Sequence, residues 1–122
     1  MSFAQLTSLT YNSLMVIIET TIFTKIITSL LSDDEYRKLQ NEIIQTPAIG
    51  KIISGSGGIR KVRWKLQGRG KRGGARVLYY WANNENQIFM LFAYPKNEIE
   101  NITKEQLSIL KKAVETEFKN EK

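Results

Sequence analysis

The chain has 122 residues, 42% apolar and 25% charged, which suits one globular domain and excludes a disordered or collagen-like chain. It contains neither Cys nor His, so disulfides, thiolate metal sites and the usual imidazole base are excluded, and any catalysis falls to Lys, Arg, Tyr or carboxylates. The net charge of +6 is uneven: residues 43–84 hold nine of the 18 Lys and Arg and no acid, while the rest sets nine basic residues against all 12 acids, so one segment carries the positive field and predicts a polyanionic partner.

Residues 1–14 read as an N-terminal extension, dispensable to a single domain over 15–122. The opening lacks the basic start and continuous apolar core of a secretory signal, and Glu19, Lys25 and several Thr interrupt the apolar stretch to Leu31. A cytoplasmic protein without a membrane span is expected.

Met15–Glu19 reads as a short buried strand, and Thr20 or Thr21 can cap a helix whose Ile22, Ile26, Ile27, Leu30 and Leu31 recur at helical spacing. Ser32-Asp-Asp-Glu35 has the form of a capping box, and Tyr36, Leu39 and Ile43 give the next helix an apolar stripe that Pro47 and Gly50 end. So short a joint predicts a helical hairpin.

After the Gly- and Ser-rich run 54–58, Ile59–Leu66 alternates: Val62, Trp64 and Leu66 on one face, Lys61, Arg63 and Lys65 on the other. Residues 67–74 (QGRGKRGG) form a loop by composition, and Ala75–Trp81 and Gln87–Tyr94 are two further strands of an antiparallel meander. Alternation puts Ile88, Met90, Phe92 and Tyr94 on one face, with Phe89 and Phe92 expected in the core. Thr103-Lys-Glu-Gln106 offers a second capping box, before a helix lined by Leu107, Leu110, Val114 and Phe118. The order is β-α-α-β-β-β-α, an α+β fold with helices packed on a small antiparallel sheet.

The candidate chemistry lies in the cations. Lys61, Arg63 and Lys65 precede the loop carrying Arg69, Lys71 and Arg72, and Arg76 starts the next strand, so strand pairing should gather them around one concavity. The plain alternative is a solvated basic strand beside an ordinary hairpin loop. The glycines around Lys71 and Arg72 permit close approach to an anion, but the loop lacks Walker spacing and stands between strands. Tyr94 and Lys96 place a phenol and an ammonium at a strand end. Asp33, Asp34 and Glu35 are explained by a helix cap, and Glu98 and Glu100 precede a helix, so no two-metal site is expected.

Taken together, VIIETTIF, SDDEYRKLQNEIIQTPAIGKIISGSGGIRKVRW, GRGKRGGARVLYYW and the Tyr94-Pro-Lys-Asn-Glu98 strand end resemble the RelE/ParE toxin superfamily, and within it the HigB-like, RelE-related branch, over residues 15–118. The resemblance implies a ribosome-dependent endoribonuclease that cuts translated mRNA, held by a cognate antitoxin that carries a DNA-binding domain and brings the pair to operator DNA. It implies no cofactor and no metal. The family's site has two basic residues flanking one apolar residue on a strand, matched by Lys61 and Arg63. It has an Arg on the following strand, matched by Arg76, and basic and Tyr groups near the C-terminal end, for which Lys96 and Tyr94 stand. RelE places an Arg directly after the Lys that ends the last strand, whereas Asn97 follows Lys96 here.

On this reading Lys61 takes the 2′-hydroxyl proton, Arg63 and Arg76 hold the phosphorane charge, and Tyr94 or Lys96 protonates the leaving 5′-oxygen or orients the substrate. Arg60, Lys65, Arg69, Lys71 and Arg72 contact the nucleic-acid backbone. Two alternatives stand beside it: a ParE-like gyrase inhibitor on the same scaffold, and a non-catalytic RNA-binding module.

Overall fold

The computed structural model describes residues 3–9, 15–65, 74–82, 86–96 and 101–119. The elements run β1 (Phe3–Leu9), β2 (Val16–Thr20), α1 (Thr21–Leu30), α2 (Asp33–Gln45), β3 (Lys51–Ile52), β4 (Ile59–Trp64), β5 (Ala75–Ala82), β6 (Gln87–Pro95) and α3 (Lys104–Val114), which passes into a π-helical turn at Glu115–Lys119. All six strands join one sheet in the order β1-β2-β6-β5-β4-β3. The β4-β5-β6 meander is antiparallel, as its alternation predicts, while β2 runs parallel to β6 and so makes the sheet mixed. The N-terminal extension supplies β1, an edge strand antiparallel to β2. The α+β class and the element order from β2 onward are as expected, with β3 added.

Two apolar clusters cover the two faces. Phe23, Ile27 and Leu30 of α1 and Leu39, Ile43 and Ile44 of α2 pack with Ile17, Val62, Val77, Tyr79, Ile88 and Met90. On the other face Leu110 and Val114 of α3 pack with Ile59, Leu78, Phe89 and Leu91. Each fully buried Leu, Ile or Phe contributes roughly 1.5–3 kcal/mol. Phe118 falls in the π-helical turn, and its side chain lies outside the described residues. Among those residues no helix is long and apolar enough to cross a membrane.

Local chemistry fixes the joints. Thr20 caps α1 by accepting from the Phe23 N–H, while Ser32 with Glu35 and Thr103 with Gln106 form complete capping boxes. Each satisfies N–H groups that a helix start leaves without partners. Glu19 is buried and accepts from the hydroxyls of Tyr36 (2.5 Å) and Thr24 (2.6 Å), tying β2 to both N-terminal helices.

One expectation is corrected here. Tyr79 faces Met90, yet the preceding Leu78 faces Phe92, so Leu91 is an extra residue on β6, a β-bulge. The bulge reverses the phase of alternation. Ile88 and Met90 therefore face α1 and α2, whereas Phe92 and Tyr94 face the α3 side. The Leu91 carbonyl accepts from the Thr20 hydroxyl at 3.0 Å, so the residue that caps α1 also pins the bulge.

Tyr79 holds the start of the basic segment. Its hydroxyl donates to the Pro47 carbonyl at 2.7 Å and accepts from the Gly50 N–H at 2.9 Å, and a Cβ on Gly50 would lie 2.9 Å from the Tyr79 ring. Tyr79→Phe strands both backbone groups and should cost about 1–3 kcal/mol. Urea unfolding checks this; an unchanged midpoint would show that water replaces the hydroxyl without loss.

Candidate active site

The geometry of the cations follows from strand register. On β4, Arg63 stands opposite Arg76 of β5, and Arg76 stands opposite Tyr94 of β6, so one same-face row crosses three strands. Lys61, two residues earlier on β4, faces the same way. Its register partner is Leu78, which lies in the α3-side cluster. The row is thus on the α3 side, and Tyr94 belongs to it only because the Leu91 bulge shifts the strand by one residue.

Depth grades along the row. Arg63 is exposed at the rim and Lys61 half-buried, while Arg76 and Tyr94 are 5% and 1% exposed. The Arg76 guanidinium donates to the Ala75 carbonyl at 3.3 Å. Burial, and then the Arg63 charge, push the Arg76 pKa below its ordinary value, with Tyr94 opposing. Burial pushes the Tyr94 phenol up, against the Arg76 charge and the Ile102 backbone. The Tyr94 hydroxyl is sealed from solvent and makes no hydrogen bond of normal geometry among the described residues. Two guanidinium groups in register, one of them desolvated, form a preorganised positive surface that an anion would relieve.

A cleft of about 380 Å³ opens beside the row, lined by Ile49, Lys51, Lys61, Val62 and Arg63. Gly74 closes the opposite end. It adopts φ +58°, a Cβ there would fall 2.3 Å from the Trp64 carbonyl oxygen, and its own carbonyl accepts from the Lys96 N–H at 2.9 Å. Lys96 is therefore held by its backbone directly beyond the Arg76 and Tyr94 rung, half-buried.

The other expected contacts divide. Lys65 is exposed at the end of β4. Arg60 is not gathered with the row: strand alternation turns it to the α2 side, where it donates to the Gly50 carbonyl at 2.7 Å and lies 6.0 Å from the Trp81 ring centroid. Arg69, Lys71 and Arg72 lie outside the described residues. Lys51, directly opposite Lys61, was missed because a two-residue strand has no readable period.

Burial pushes Tyr79 up as well as Tyr94. Each holds its proton to higher pH in the folded than in the unfolded chain, so the stability they contribute is full below about pH 10, the ordinary phenol value, and is lost as pH rises through the folded values. Thermal melts from pH 8 to 11 should fall above pH 10, and less steeply in Tyr94→Phe. An equal slope in that variant would mean that Tyr94 titrates alike in both states.

Residues 15–122 match the family model described as the RelE toxin of the RelE/RelB toxin–antitoxin system. Among solved structures, the intact Escherichia coli RelBE toxin–antitoxin complex contains a chain that superposes with a TM-score of 0.51 at 19% identity, over 65% of this chain and 93% of that one. That likeness is one of fold. With the family match spanning nearly all of the sequence from β2 onward, the chain belongs to the RelE toxin family.

Proposed function

We propose that this protein is the toxin of a type II toxin–antitoxin pair, a HigB-like ribosome-dependent endoribonuclease that cuts translated mRNA. The observation that carries the reading is the row Arg63, Arg76 and Tyr94 in register, with Lys61 on the same face. Cleavage begins when the 2′-hydroxyl attacks the adjacent phosphorus. Its proton passes to Lys61, the 2′-oxygen–phosphorus bond forms, and the bond to the 5′-oxygen breaks to leave a 2′,3′-cyclic phosphate. Arg63 and Arg76 present forked donors to the non-bridging oxygens, a contribution of about 3 kcal/mol per donor. The leaving 5′-oxygen takes its proton from Lys96; Tyr94, whose hydroxyl is sealed, acts beside Arg76 as a positioning residue.

Asn97 after Lys96, where RelE has an Arg, favours the HigB-like arrangement over that of RelE. The partner is a cognate antitoxin with a DNA-binding domain, through which operator DNA is reached, and the site of action is the cytoplasm. Lys65, with Arg69, Lys71 and Arg72, contacts ribosomal RNA or the message backbone.

Inducible expression in bacteria, with message ends mapped by primer extension, tests this. New 5′ ends confined to translated regions are expected. Intact messages together with altered plasmid supercoiling would favour a gyrase inhibitor, and growth arrest with neither change a non-catalytic RNA binder.

A further inference from the structure

We propose that Lys51 is a substrate-binding residue of the same site, holding the phosphate next to the one that is cut; this rests on the reading above. Lys51 is the register partner of Lys61 across the antiparallel β3-β4 pair. Directly opposed residues of such a pair share a face, with Cβ atoms about 5 Å apart. Lys51 therefore joins the face that carries Lys61 and Arg63, and all three line one cleft. Lys51 is exposed and forms no salt bridge with a carboxylate among the described residues.

Like charges placed directly opposite on a sheet are destabilising. This pair sits in a segment without a single acid, so no acid of that segment offsets the repulsion, and an anion beside Lys51 would lessen it. Geometry indicates which anion. The Lys51–Lys61 rung and the Arg63–Arg76 rung are two residues apart along β4, roughly 7 Å, so two neighbouring phosphates of one extended strand can each meet a cationic rung. Arg63 and Arg76 take the scissile group, and Lys51 takes the next.

An edge-strand Lys also deters pairing with other chains, a role that any charge fills. Lys51→Glu separates the two, since it keeps a charge on the edge but repels phosphate. The probe is a mixed-sequence 2′-O-methyl RNA strand, which the protein cannot cut, with binding followed by fluorescence anisotropy from 50 to 300 mM salt. Lys51→Ala should weaken binding several-fold and reduce the slope of log K against log salt by about 0.7, the value for one phosphate contact on a single strand. Lys51→Glu should weaken binding further, whereas Lys25→Ala on α1 should change neither quantity. Wild-type binding with an unchanged slope in Lys51→Ala would overturn the role of Lys51 and leave the site reading standing. Absence of binding to this strand by the wild type would likewise overturn the role of Lys51, while the site reading stands or falls on the mapped message ends.

Discussion

Arg76→Ala should lower the rate of mRNA cutting on programmed ribosomes by about 10²–10³-fold, the usual effect of removing one preorganised donor from a developing oxyanion. The loss should appear in the maximal rate, because the desolvated guanidinium is worth most when charge concentrates on the non-bridging oxygens. Lys61→Ala, which removes the proton acceptor, should abolish cutting. Neither change should unfold the protein: Arg76 faces the like charge of Arg63 across the strands, so losing that repulsion offsets part of the lost packing. Arg76→Lys keeps the charge without the fork and should fall between wild type and Ala. Undiminished cutting by both alanine variants would remove these residues from the chemistry.

Gly74→Ala should damage stability and activity together. The left-handed conformation costs a non-glycine residue roughly 1–2 kcal/mol, and here the added Cβ would also meet the Trp64 carbonyl oxygen at 2.3 Å. Both partners are backbone, so relief requires the strand ends to part. Those ends carry Arg63, Arg76 and Lys96, and the Gly74 carbonyl itself holds the Lys96 N–H. A fall in Tm on the order of 5–10 °C is expected, with cutting reduced at temperatures where the variant is still folded. A variant with wild-type Tm and rate would show that the three strand ends need not be held in register.

What could be read from the residues depended on the range of the signal. Capping at Ser32 and Thr103 is local chemistry and appears where expected. So does the meander, whose strands have six or more residues and a clear period of two. Pairing between distant segments leaves no such trace, so the parallel contact of β2 with β6 and the recruitment of residues 3–9 as β1 emerge only from the sheet. The Leu91 bulge is the most consequential hidden feature: simple alternation puts Tyr94 with Met90, and one extra residue moves it beside Arg76. Arg60 shows the opposite case, because the alternation that aligns Lys61 with Arg63 already assigns Arg60 to the other face, where it bonds Gly50.

The central claim is that cations from adjacent strands act on one phosphodiester, and the end group left on the message tests it most directly. Purified toxin, ribosomes and a defined mRNA would be combined and the upstream fragment analysed by mass spectrometry. Attack by the neighbouring 2′-hydroxyl predicts a 2′,3′-cyclic phosphate in wild-type reactions and none with Lys61→Ala. An upstream fragment ending in a free 3′-hydroxyl, or a message left whole, would contradict the account.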